Sequence, residues 1–276
     1  MTVRYVLGRV GIYAAAVLTF IFFAAPLLWM FSTAFKAQSE WFATPPDLIP
    51  HVPTLDNFTK LVSSAFPSYF LNSALVGVLA TIPTLVIAVG AAYAVTFLRF
   101  SWKGLIVAAV LLTQLIPLAV TVLPLYQTAA RLGALDSLVT LSIAYMSFTT
   151  PVAVWLLYGF MAHLPVELAE AAQVDGCTKF GAFIRVMLPI AIPGIVATGV
   201  YVFFSAWQEF VLAITFLSSK SNMTLPVGIL GFIGEHATDW GQMMAASVVL
   251  TIPLFLVFAY LQRFLIAGLS RGAVKG

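Results

Sequence analysis

Six long apolar stretches separated by shorter polar ones dominate the chain: about Val10–Phe35, Phe70–Leu98, Gly104–Tyr126, Leu138–Ala162, Ile190–Leu217 and Gln242–Ile266. A helix that crosses the hydrocarbon core of a bilayer needs roughly 20 mainly apolar residues, and each stretch reaches that length. In hydrocarbon the backbone must satisfy its own hydrogen bonds, so the pattern predicts an all-α integral membrane protein with six transmembrane helices. The apolar runs recur along the whole chain, which predicts a single transmembrane domain over 1–276. Pro83, Pro117, Pro124, Pro151 and Pro253 fall inside these spans; each removes a donor and predicts a kink. Arg4 and Arg9 precede the first stretch in the manner of a signal peptide. Its apolar run is too long for one and lacks a small-x-small cleavage site, which predicts an uncleaved first helix.

Composition agrees with that pattern. Of 276 residues, 62% are hydrophobic and 8% charged, against about 25% charged in a typical soluble domain. A formal charge of +3 is too small to imply nucleic acid, but its distribution orients the chain. Six spans place both termini on one side. Arg4, Arg9, Arg99, Lys103, Lys179, Arg185, Arg263, Arg271 and Lys275 share that side, against Lys36, Lys60, Arg131 and Lys220 on the other. Nine against four, by the positive-inside rule, predicts cytoplasmic N- and C-termini. The single cysteine, Cys177, excludes an internal disulfide framework and a Cys-based metal cluster, and His51, His163 and His236 are isolated. On the outer side, Lys36–Tyr69 is rich in proline and aromatics and reads as an extended segment hugging the interface rather than a folded domain. Ser218–Gly241 is similar. Each either touches an external partner or anchors at headgroup level.

One cytoplasmic stretch differs from all others. Leu164-Pro165-Val166-Glu167-Leu168-Ala169-Glu170-Ala171-Ala172-Gln173-Val174-Asp175-Gly176-Cys177-Thr178-Lys179-Phe180 reads as two short helices within a segment at 163–189. Pro165 suits the first helical position, Glu167 complements the dipole in the first turn, and Gly176 supplies a stop. Thr178 is placed to cap a second helix running through Phe183 and Val186 until Pro189 ends it. Leu168, Ala171 and Ala172 share one face by their spacing, and small side chains there would let the helix sink into a groove on another protein. Glu170 and Asp175 add fixed charges for a basic partner.

At these residues the sequence resembles the permease subunits of ABC importers. Glu170-Ala171-Ala172, three residues, Gly176, nine residues, then Val186-Met187-Leu188-Pro189 follows the EAA-x3-G-x9-I-x-LP motif of that family, with Val186 where isoleucine is usual and Cys177 where alanine or serine is common. Pro26-Leu27-Leu28-Trp29, Ser32-Thr33-Ala34-Phe35-Lys36, Asn57-Phe58, Asn72-Ser73, Ala206-Trp207-Gln208-Glu209-Phe210 and Gln262-Arg263 look like the carbohydrate-importer branch. The ending, Gly268 to Gly276, is similar to the tail of the maltose-type second permease.

The resemblance implies a type I ABC importer permease fold in a bacterial or archaeal cytoplasmic (inner) membrane. It implies as partners a second homologous permease, two ATPase subunits and an extracytoplasmic sugar-binding protein, besides membrane lipid. It further implies that ATP and Mg are bound by the partner ATPase and that this chain holds no cofactor. Glu170, Ala171, Ala172, Asp175, Gly176, Leu188 and Pro189 are the implied ATPase-coupling residues. The tail at 267–276, with Gly272 and Lys275, is implied to reach between the ATPase subunits.

Glu209, near the outer end of the fifth span, either lines a translocation pathway with Gln208 and Trp207 or closes a structural hydrogen bond. Gln114, Tyr93 and Asn72 suit sugar recognition and suit contacts between helices better. H-E-x-x-H, G-x-S-x-G, a P-loop and a dinucleotide-binding turn are all lacking, so the chain reads as a transport subunit rather than an enzyme. Two alternatives stand beside a sugar permease: a glycerol-phosphate importer permease, which would want basic groups in its path, and an autonomous secondary transporter, which would need intramembrane coupling charges.

Overall fold

The computed structural model describes residues 3–98, 100–234 and 238–272. Its helices are α1 (Val3–Ala34), α2 (Asp56–Val62), α3 (Phe66–Phe97), α4 (Lys103–Thr113), α5 (Leu118–Arg131) and α6 (Leu138–Met161), followed by α7 (Val166–Val174), α8 (Lys179–Ala182), α9 (Leu188–Trp207), α10 (Val211–Phe216), α11 (Leu225–Ile229) and α12 (Trp240–Gly272). Five helical segments are long and apolar enough to cross a membrane, and the bent pair α4–α5 makes a sixth. The chain divides into two compact units, Met1–Pro67 with Gly228–Gly276, and Ser68–Val227.

In the first unit α1 packs along α12, and α2 packs on the same helix. The connection after α1 departs from the extended segment expected of it. Lys36 is only 1% exposed, its ammonium 4.3 Å above the Trp29 ring and bonded to the Asp47 carbonyl. The Glu40 carboxylate accepts the backbone N–H groups of His51 and Val52, both at 3.0 Å. The Asn57 amide donates to the Ala34 and Lys36 carbonyls, each at 2.9 Å. A buried side chain that satisfies backbone carbonyls fixes a loop as firmly as a ladder does. The prolines set the path of this loop, and the buried polar groups close it on itself.

The second unit holds α3 to α10. α6 and α9 pack closely where Gly194 faces Phe160; a Cβ on Gly194 would stand 2.5 Å from that ring. Its core joins Val76, Leu141, Tyr145, Leu212, Ala213 and Phe216, and a second cluster gathers Ala88, Ala92, Leu157, Met161 and Ala191. Pro83, Pro124 and Pro151 sit within helices.

Pro117, however, does more than kink its span. The third apolar stretch, Gly104–Tyr126, is two helices bent by 89°. The last turn of α4 closes as i to i+3 bonds from Gln114, Leu115 and Ile116, and Pro117 follows with ψ 137°. It has no N–H to continue the ladder and disfavours a helical residue before it. The fifth stretch is likewise interrupted, between Trp207 and Val211.

The outer turn after α5 is fastened by Asp136, at φ 55°. Its carboxylate accepts the N–H groups of Ser218 (2.9 Å) and Ser219 (3.0 Å), and its carbonyl accepts the Asn222 amide at 2.7 Å. Asn72 donates to the Ser221 and Met223 carbonyls, and Ser73 accepts the Leu225 N–H. The segment Ser218–Leu225 is thereby held from both sides.

Candidate coupling segment and pathway residues

Helix α7 begins at Val166. Pro165 stands just before it with ψ 122°, one position earlier than expected, so the ring's fixed φ launches the helix from outside. The helix ends in a Schellman turn: Gly176 N–H reaches the Gln173 carbonyl (3.1 Å) and Cys177 N–H reaches the Ala172 carbonyl (2.9 Å). Gly176 makes this possible with φ +89°, a conformation that a Cβ penalises. Thr178 then caps the next helix, its Oγ1 accepting the Gly181 N–H at 3.0 Å.

Two expectations are corrected here. The second short helix does not end at Pro189. It passes through a π turn at Phe183–Met187 directly into α9, which carries Pro189 in its first turn. Nor do Leu168, Ala171 and Ala172 form one outward face. Ala169 and Ala172 are buried, while Leu168, Glu170 and Ala171 face outward with Val174, 88% exposed. Successive helical positions are about 100° apart, so neighbouring alanines divide between the two sides. Asp175 and Gly176 are exposed at the turn, and Phe180 beyond it is 72% exposed. Leu188 is half-buried and packs against the cluster of Leu157, Met161 and Ala191; Pro189 is exposed.

The segment is tied to the spans at two places. The π turn leads directly into α9, and the Tyr93 ring of α3 stacks 4.2 Å from Phe183 while its hydroxyl donates to the Lys179 carbonyl at 3.4 Å.

Three consecutive candidates at the end of α9 have separate fates. Trp207 is buried, stacked on Phe203 and edge-on to Phe70. Gln208 is exposed. Glu209 is 9% exposed, and its carboxylate accepts the N–H groups of Leu212 (2.9 Å) and Ala213 (3.2 Å), satisfying donors at the start of α10. Gln114, exposed at the end of α4, donates to the Phe148 carbonyl at 3.3 Å. Gln114, Tyr93 and Asn72 thus all make contacts between segments of the chain. Tyr145, which the sequence reading passed over, is fully buried and donates to the Glu209 carbonyl at 3.4 Å. Its place on the inner stripe of α6 with Leu141 and Ala144 was the available signal. Gly272 closes α12, whereas Lys275 and the final residues of the tail, like His236, lie outside the described residues.

Residues 84–271 match the model of the family described as "Binding-protein-dependent transport system inner membrane component". The chain is 37% identical over 274 residues to the diacetylchitobiose uptake system permease protein DasC of Streptomyces coelicolor, covering 99% of each chain. It is 33% identical to the trehalose/maltose transport system permease protein MalG of Thermococcus litoralis, covering 98% of each. It is 35% identical to the trehalose transport system permease protein SugB of Mycobacterium tuberculosis, covering 91% of this chain and 92% of that one. In fold it resembles a chain of a bacterial ABC transporter involved in import of the acidic polysaccharide alginate, with a TM-score of 0.78, 19% identity and coverage of 93% and 96%. A broken-span, helical membrane domain, an EAA-type segment and matches across nearly its whole length lead to one conclusion: the chain belongs to the family of inner-membrane permease components of binding-protein-dependent transport systems.

Proposed function

We propose that this permease serves an ATP-driven importer of a sugar or short oligosaccharide, with α7 as the element on which an ATPase subunit seats. The observation that carries the reading is the outward face of α7 and the turn behind it. Leu168, Ala171, Val174 and Phe180 present apolar surface beside Glu167, Glu170 and Asp175. An apolar patch rimmed by charge on a membrane protein's polar side fits a protein partner better than water. Glu170 and Asp175 supply fixed charges for basic groups there, and the buried Ala169 and Ala172 let α7 lie close against its own domain.

Motion imposed on α7 by closure of the ATPase dimer passes to α9 through the Gly176 turn and the π turn, and to α3 through Tyr93 and Phe183. The spans of this chain and of a second, homologous permease then alternate between outward and inward openings. ATP and Mg are held by the ATPase. The sugar arrives on an extracytoplasmic binding protein, and the carbohydrate class follows the transport systems named for DasC, MalG and SugB. The tail carrying Gly272 and Lys275 extends toward the ATPase pair, and cytoplasmic termini follow from the charge count.

The test is uptake of labelled sugar by cells expressing the complete transporter. Glu170→Lys and Gly176→Asp are each expected to abolish uptake while the protein remains inserted at normal abundance. Normal uptake by both variants would overturn the docking assignment.

A further inference from the structure

We propose that a groove between α3, α4 and α6 binds one acyl chain of an anionic phospholipid of the cytoplasmic leaflet, with Lys103 holding its phosphate. The cavity has a volume of about 410 Å³. Ala91 of α3, Ile106 and Val110 of α4, and Ser147, Val154 and Tyr158 of α6 line it. From Ser147 to Tyr158 it follows three turns of α6, about 16 Å, which matches the length of much of an acyl chain.

The lining selects an apolar guest. Two of its three hydroxyls are already engaged, Ser147 donating to the Ala144 carbonyl at 2.6 Å and Thr150 paired with Thr84 at 3.4 Å, and the third, on Tyr158, stands toward the inner end. A sugar would lose most of its hydrogen bonds to water there without replacement. α3 and α6 end, and α4 begins, at the side that the charge count makes cytoplasmic, so the groove occupies the inner half of the membrane. At its mouth the α4 stripe of Ile106 and Val110 continues one turn back to exposed Lys103, beside exposed Trp102. No carboxylate among the described residues lies within ion-pair distance of Lys103. An exposed ammonium and an indole one turn before the α4 residues of an apolar slot form the pattern of a lipid with its head outside and its tail within.

The experiment uses the complete transporter in nanodiscs of phosphatidylethanolamine with phosphatidylglycerol, combining native mass spectrometry with a photo-crosslinking amino acid at Val107, a lining residue. Retained phosphatidylglycerol, and crosslinking at Val107 to lipid, are expected. Lys103→Gln should lower phosphatidylglycerol retention about fivefold, corresponding to roughly 1 kcal/mol per basic residue at the surface. Ala91→Phe should abolish retention by filling the slot, with Val110→Phe as the independent check where that variant fails to insert. Crosslinking to the second permease would show a protein interface and overturn the proposal. So would retention unchanged by Lys103→Gln, or equal retention of phosphatidylethanolamine.

Discussion

The carboxylate of Glu209 accepts the backbone N–H of Leu212 at 2.9 Å just beyond the end of α9. Ala213 donates to the same group at 3.2 Å. A break in a membrane helix leaves unsatisfied donors at the new N-terminus, and each would be costly in so apolar a setting. Glu209 acts as the cap of that break. Glu209→Ala is expected to destabilise the purified transporter by about 1–2 kcal/mol, the range for a lost N-terminal cap, and Glu209→Gln by less because an amide oxygen still accepts. Thermal unfolding measures this. A large change in sugar selectivity at unchanged stability would return Glu209 to the pathway.

Tyr145 reaches the same break from α6, donating to the Glu209 carbonyl at 3.4 Å. Tyr145→Phe keeps the ring in its buried site and removes only the hydroxyl. The expected cost is about 1 kcal/mol, typical of one buried hydrogen bond. Unfolding of Tyr145→Phe, Glu209→Ala and the double variant checks whether the losses couple. Strict additivity would mean that the two residues act independently.

The spans were legible because apolar length is a property of the sequence taken one residue at a time. Their interruptions were not. The polar residues at the breaks, Gln114 and Gln208-Glu209, are only one or two long, and apolar residues resume at Leu115 and Phe210, so a span-length hydropathy pattern runs on across them. Pro117, Pro124 and Pro151 look alike in sequence, and only the first closes a helix, because the turn before it has already tightened to i, i+3 bonds. Glu209 was visible as an expensive residue, and its two open roles separated only when the N–H groups of α10 were found beside it. Around α7 the local rules carried further: Gly176 and Thr178 do what their residue types dictate. Which alanine faces inward depends on the helix's rotation against the π turn, a tertiary fact. The Lys36–Tyr69 connection misled for a related reason, since the bonds that close it join Glu40 to His51 and Asn57 to Ala34, across intervals that local reading does not span.

Asp136 carries a pH signature. Hydrogen bonds from the Ser219 hydroxyl and N–H, and then from the Ser218 N–H, pull its carboxyl from the ordinary 3.8 down to about 2. The native state favours the ionised form, so its contribution to stability is complete above about pH 4 and is lost as pH falls toward 2. The difference in melting temperature between the parent and Asp136→Asn should therefore be constant from pH 7 to about 4 and shrink below. A constant difference down to pH 2 would remove the carboxylate's ionisation from the account.

The Gly176 turn separates backbone conformation from partner contact. With φ at +89°, any side chain there is strained, by roughly 1–2 kcal/mol for most residues and less for asparagine, which tolerates the left-handed region best. A Cβ at Gly176 meets no atom within 4 Å in this chain, so strain and not a clash is the internal cost. Gly176→Asn is accordingly expected to retain part of the uptake and Gly176→Val little, both at normal membrane abundance. ATPase activity of the purified complex is the second measurement. If conformation alone matters, uptake and sugar-stimulated ATP hydrolysis fall together, in the order Gly, Asn, Val. If Gly176→Asn is as inactive as Gly176→Val, the space above the turn is occupied by the ATPase, and the glycine is required for the approach of the partner as well as for the turn.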